Sequence, residues 1–147
     1  MLRKISLSLM VMCMLPQYAF STISSGWEKH IIGEQTSPIY LYVEDIDGDG
    51  MLDVAASSDI HPWGSNSEVA WYRNNGTATD WEKTIISSDN ADLDPIVGAA
   101  GIIISDIDGD GYKDAVVVTG NVITPKGDVY WFKSPADPTT DQWQRFT

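Results

Sequence analysis

The stretch Asp45-Ile46-Asp47-Gly48-Asp49-Gly50-Met51-Leu52-Asp53 returns as Asp106-Ile107-Asp108-Gly109-Asp110-Gly111-Tyr112-Lys113-Asp114. Each copy carries four carboxylates at the same spacing around the same two glycines. Alternate positions of a tight loop point inward, so Asp45, Asp47 and Asp49 can converge on one point, and Asp53 can close the cage. Carboxylates held this close repel, and without a cation their pKa values must rise to relieve it. A hard cation with six to eight oxygen ligands at roughly 2.3–2.6 Å is the partner such a loop suits, which points to calcium. Gly50 permits the turn that brings the backbone carbonyl of Met51 round as a neutral ligand. The second loop offers Asp106, Asp108, Asp110, the carbonyl of Tyr112 and Asp114 in the same roles. The expectation is two Ca2+ sites, one per repeat. Asp-Gly pairs also form plain hairpin turns, but a turn needs only one or two such residues.

An EF-hand loop would place a bidentate Glu at its twelfth position. Here the twelfth residues are Ala56 and Val117. The flanks differ as well. Ile39-Tyr40-Leu41-Tyr42-Val43 enters the first loop and Val54-Ala55-Ala56 leaves it; Ile102-Ile103-Ile104 and Ala115-Val116-Val117-Val118 flank the second. Short runs rich in β-branched and aromatic residues read as strands. Each acidic loop therefore joins two strands.

The loops lie inside a longer repeat of about sixty residues. Trp27-Glu28-Lys29-His30-Ile31-Ile32 reappears as Trp81-Glu82-Lys83-Thr84-Ile85-Ile86, and in shorter form as Trp143-Gln144-Arg145-Phe146-Thr147. Val69-Ala70-Trp71-Tyr72-Arg73-Asn74 matches Val129-Tyr130-Trp131-Phe132-Lys133-Ser134. Each unit reads strand, acidic loop, strand, longer loop, Trp-centred strand, turn, Trp-started strand. Four antiparallel strands in such a repeat is the arithmetic of a β-propeller blade.

On these motifs the chain resembles the FG-GAP/VCBS-type repeat proteins, integrin-α-like β-propellers with calcium loops in their blades. The two Asp-Ile-Asp-Gly-Asp-Gly-x-x-Asp cores and Val69–Asn75 carry the resemblance, which covers about residues 26–147. It implies an all-β fold of four-stranded antiparallel blades belonging to a seven-bladed propeller. The acidic loop then links the innermost strand of each blade to the second. The phenylalanine-glycine and glycine-alanine-proline signatures are absent, so the likeness is to the VCBS branch. The blade units fall at about 38–87 and 99–147, preceded by an extra outer strand at 27–32. Propellers close with four to eight blades, and two leave open edges. The expectation is a fragment, a truncated gene, or a unit completed by copies of itself.

Residues 1–21 read as a secretory signal peptide: Arg3 and Lys4, an apolar run from Ile5 to Leu15, then Ala19-Phe20-Ser21. The run is too short for a membrane span. Met12 before Cys13 argues against a lipoprotein site. Cys13, the one cysteine, would leave with the signal, so calcium is the available staple for the mature region 22–147. Loss of Arg3 and Lys4 takes the formal charge from −12 to −14. That disfavours nucleic acid and anionic membrane as partners. The chain is expected outside the cytoplasm: secreted, periplasmic or at the cell surface.

Recurrence of Trp27, Trp81 and Trp143, and of Trp71 and Trp131, places these residues in packing between blades. Trp63 in Asp59-Ile60-His61-Pro62-Trp63-Gly64 has no aromatic counterpart in the second repeat; it reads as a loop aromatic or as a stacking platform for a sugar. A zinc site needs three or four converging ligands, and His30 and His61 have no partners at a suitable spacing. No nucleophile elbow or triad spacing is present. The functional expectation is a calcium-stabilised module that binds a glycan or an extracellular protein. The alternative is a piece of an extracellular propeller enzyme, such as a polysaccharide lyase or sugar dehydratase, with Tyr40, Tyr42 and His61 as the groups to suspect.

Overall fold

The computed structural model describes residues 26–58, 67–87, 96, 98–120 and 127–146. The expected signal peptide with Cys13, and the segment carrying His61 and Trp63, lie outside the described residues. Eight strands form two sheets: β1 (Pro38–Glu44), β2 (Asp53–Ser58), β3 (Val69–Arg73) and β4 (Glu82–Ile85), then β5 (Ala99–Ser105), β6 (Asp114–Thr119), β7 (Val129–Lys133) and β8 (Gln144–Phe146). Each sheet is ordered as the chain runs, β1-β2-β3-β4 and β5-β6-β7-β8, with every neighbour antiparallel. No helix occurs among the described residues.

The two sheets repeat one another down to their irregularities. Glu44 pairs with Asp53 where the first acidic loop leaves and rejoins the sheet, as Ser105 pairs with Asp114 at the second. Both first strands slip register at their far end, between Pro38 and Tyr40 and between Ala99 and Gly101. Such a bulge sharpens the local twist, so both blades bend at the same place. The side-chain period of two then sends alternate residues to opposite faces.

One face of the first sheet packs on one face of the second. Ala55, Val69 and Trp71 meet Ile102, Ile104, Ala115, Val117 and Phe132 in a single buried cluster. Polar links pin the two sheets together. Ser67 Oγ accepts the N–H groups of Gly98 (2.9 Å) and Ala99 (3.2 Å), and the Ser67 N–H donates to the Ile96 carbonyl at 2.7 Å.

The repeat makes the second sheet's other face informative. Val129 and Trp131 stand at the positions of Val69 and Trp71, which are 0% exposed between the sheets. Val129 is 61% exposed, and Trp131 is half-buried, stacked on Phe146 at a centroid distance of 4.6 Å. With Ile103 and Val118 they form an open apolar face. Residues that make an inter-sheet core in one blade are uncovered in the other.

The expected outer strand at 27–32 does not form. Residues 27–35 carry no strand pairing; the segment crosses the first sheet's outer face as a strap. Among the described residues, the backbone bond that links it to the sheet runs from the Trp81 N–H to the Ile32 carbonyl, 3.1 Å. Side chains hold it instead. Gln35 Nε2 donates to the Glu68 carbonyl at 3.0 Å, Tyr72 Oη donates to the Glu34 carbonyl at 3.0 Å, and Ile32 packs on Ala56, Ala70 and Tyr72. Trp27 is 93% exposed, so the inter-blade role expected from its recurrence is corrected: the strap turns it out to solvent, while Trp71 and Trp143 are buried.

The strap approaches its sheet closely enough to require a glycine. A Cβ on Gly33 would lie 2.5 Å from Cε1 of the Tyr72 ring, and the ring is tethered through its hydroxyl. Gly33→Ala should cost about 1–3 kcal/mol through overpacking and lift the strap. The readout is limited trypsin digestion, with cleavage after Lys29 expected to speed up severalfold while the sheets stay intact.

Candidate metal centre

The two acidic loops are built alike, and their backbone amides explain how. Asp45 accepts the Gly48 N–H at 2.8 Å and the Gly50 N–H at 3.0 Å. Asp106 accepts the Gly109 and Gly111 N–H groups at 2.7 and 3.0 Å. Asp49 accepts the Met51 N–H at 2.8 Å, as Asp110 accepts that of Tyr112 at 2.9 Å. The aspartates therefore wind their own loop around themselves. Gly50 and Gly111 sit at φ +89° and +93°, a left-handed conformation that costs any side chain with a Cβ.

Asp53 and Asp114 have a second task. Both are fully buried. Asp53 accepts the Ile46 N–H at 3.2 Å and the Asn74 N–H at 2.7 Å; Asp114 accepts those of Ile107 at 3.2 Å and Ser134 at 2.8 Å. Each carboxylate ties its loop to the end of the third strand of its blade. Burial pushes the Asp53 carboxyl above its ordinary value of 3.8, against the opposing pull of the Asn74 and Ile46 amides.

One oxygen each from Asp45, Asp47 and Asp49 lie within 4.8 Å of one another, and the same holds for Asp106, Asp108 and Asp114. The donors are hard carboxylate oxygens on a pre-wound loop, which suits a hard divalent ion. The structure thus gathers most of the expected ligands of each cage. Asp53 and Asp110 fall outside these groups of three, and Met51 and Tyr112, expected to ligate through their carbonyls, show N–H donation to Asp49 and Asp110.

Two residues in the site escaped the sequence reading. Arg73 Nε bonds Asp47 Oδ2, and Arg73 Nη2 reaches Asp49 Oδ2 at 3.3 Å. In the second blade Lys133 Nζ bonds Asp108 Oδ2 and lies 2.7 Å from Asp110 Oδ2. Arg73 and Lys133 close the matched Trp-centred strands, so a signal existed: a cation at the same place in both repeats. These contacts hold both bases above their ordinary values and hold Asp110 below the carboxylate value of 3.8. The pair in the first blade is the more enclosed, with Asp47 7% exposed against 29% for Asp108. Both loops open on one rim, separated by a cleft of about 400 Å³ lined by Asp45, Asp47, Tyr112 and Lys113 among others. Lys113 turns away to Glu44, 3.5 Å distant.

Paired four-stranded antiparallel sheets, each with the same acidic hairpin at the same corner, define a protein of β-propeller-blade repeats. The family model described as FG-GAP-like repeat matches residues 45–117, from the first loop into β6. The chain belongs to the FG-GAP-like repeat proteins. No curated protein and no solved structure gives a significant match.

Proposed function

We propose that this chain is a secreted β-propeller repeat module in which each blade holds one structural calcium ion, and that it serves to bind a glycan or an extracellular protein. The observation that carries the reading is the doubled carboxylate loop, wound identically on two sheets. Calcium bound by Asp45, Asp47, Asp49 and Asp53, and by their counterparts in the second blade, neutralises the loop and locks the first two strands of the blade. Extracellular modules work with dissociation constants on the order of 0.1–1 mM because calcium is plentiful around them. The open apolar face of the second sheet takes a further sheet of the same kind, from additional blades or from another copy. Ligands meet the rim between the loops.

Thermal unfolding across a calcium titration tests the metal reading. Calcium should raise the melting temperature of the parent, because an ion that binds only the folded state stabilises by mass action. Asp47→Ala and Asp108→Ala should each remove about half of that gain, acting on separate loops. Identical melting curves for parent and variants at every calcium concentration would overturn it.

A further inference from the structure

We propose that Arg73 and Lys133 are tethered counter-cations that compete with calcium for the acidic loops, setting the affinity of each blade and holding the loop together when the ion is absent. This rests on the calcium reading above and goes beyond it by assigning a role to two residues outside the ligand set.

The argument starts from the free oxygens. In each loop, Oδ1 of the second and third aspartates is taken by the loop's own amides: Asp47 by Asp49 N–H and Asp49 by Met51 N–H, Asp108 by Asp110 N–H and Asp110 by Tyr112 N–H. An amide bond leaves a carboxylate oxygen a second lone pair, but the Oδ2 atoms of these residues are the ones no loop amide touches, and so the most open to an ion. Those are the atoms Arg73 and Lys133 hold. A divalent ion cannot approach them while a cationic nitrogen sits at bonding distance, because the two positive charges repel at short range. Binding therefore includes displacement of the side chain, and the apparent affinity falls by the stability of the contact it breaks.

The same contacts have the opposite effect without calcium. They supply positive charge to a loop whose carboxylates would otherwise repel. The loop keeps its wound shape, ready to exchange one cation for another.

The two blades differ in a way that orders them. A guanidinium forks across two carboxylates with a fixed geometry, whereas an ammonium is a point charge on a flexible stem. Arg73 also acts on the more enclosed carboxylate. The first blade should accordingly be the weaker calcium site, and the loss of Arg73 should have the larger effect.

The experiment is calorimetric titration of calcium into the purified chain and into Arg73→Met, Lys133→Met and Lys113→Met at one ionic strength, with melting in chelator alongside. Arg73→Met should tighten calcium binding at its own loop by about fivefold, the scale of a partly exposed ion pair, and Lys133→Met should tighten its loop by about threefold. Both should melt at a lower temperature than the parent in chelator. Lys113→Met removes the same charge from the second loop without touching the cage, since Lys113 pairs with Glu44; it should change the affinity less than twofold. Unchanged or weaker binding in both cage variants, with a parent that binds, would overturn the competition alone. An equal gain in Lys113→Met would replace it with a general charge effect. A parent that takes up no calcium would overturn the calcium reading itself, and this proposal with it.

Discussion

Trp71→Ala is expected to lower the unfolding free energy by about 3–5 kcal/mol, the range for truncating a large buried aromatic. Trp71 is 0% exposed and stands in the middle of the core shared by the two sheets. Its removal opens a cavity between Val69 and the aliphatic rows of β5 and β6, and a close-packed interior collapses into such a void only in part. Small domains commonly have only about 5–15 kcal/mol of stability in total, so this one change should remove a large share of it. Urea unfolding followed by tryptophan fluorescence and by circular dichroism is the check. Trp131→Ala provides the control, because it removes the same residue from the same repeat position. Trp131 is half-buried and stacked on Phe146 on the open face, and its loss should cost less than half as much. Equal losses for the two variants would mean that the open face is covered in solution.

That contrast also shows how far the sequence could be read. The blade topology was legible because strand runs, acidic loops and Trp-centred segments recur together in one order, each beside the strand it pairs with. The loops were legible for the same reason, down to the glycines at φ +89° and +93°. The strap was not. Trp27–Ile32 copies the wording of Trp81–Ile86, yet β4 has β3 to pair with and the strap has only the outer face of a finished sheet. A local pattern becomes a strand where its own partner strand lies beside it, as β3 lies beside β4. Gly33 and Gln35 held the contrary signal, a close approach to Tyr72 and a side chain that substitutes for backbone pairing. Arg73 and Lys133 were overlooked for another reason. Their positions are matched in the repeat, but contact across about 25 residues of chain depends on how the third strand runs past the loop. That path comes from the sheet and not from local spacing.

The same separation between what lies in the loop and what lies beneath it gives the second large effect. Asp53→Ala should cost about 2–4 kcal/mol in chelator as well as in calcium. Its carboxylate is fully buried and takes the amides of Ile46 and Asn74; truncation strands two donors, and a buried group left without its partner costs about 1–3 kcal/mol. Asp47→Ala strands only the Asp49 amide, which lies in an exposed turn where water can replace the acceptor, and releases Arg73, so its cost in chelator should be smaller than that of Asp53→Ala and should grow when calcium is present. Melting both variants under both conditions separates the tether from the ligand. The pH dependence gives an independent sign. Burial raises the folded-state pKa of Asp53 above 3.8, so the folded chain binds this proton more tightly than the unfolded chain does. Stability from this group is therefore fully present below the unfolded value and is lost as pH rises through the raised folded one. In chelator the parent should lose that increment across this window and Asp53→Asn should not, since an amide has no proton to lose there. If the two profiles run parallel through the window, the buried tether is not the group that titrates.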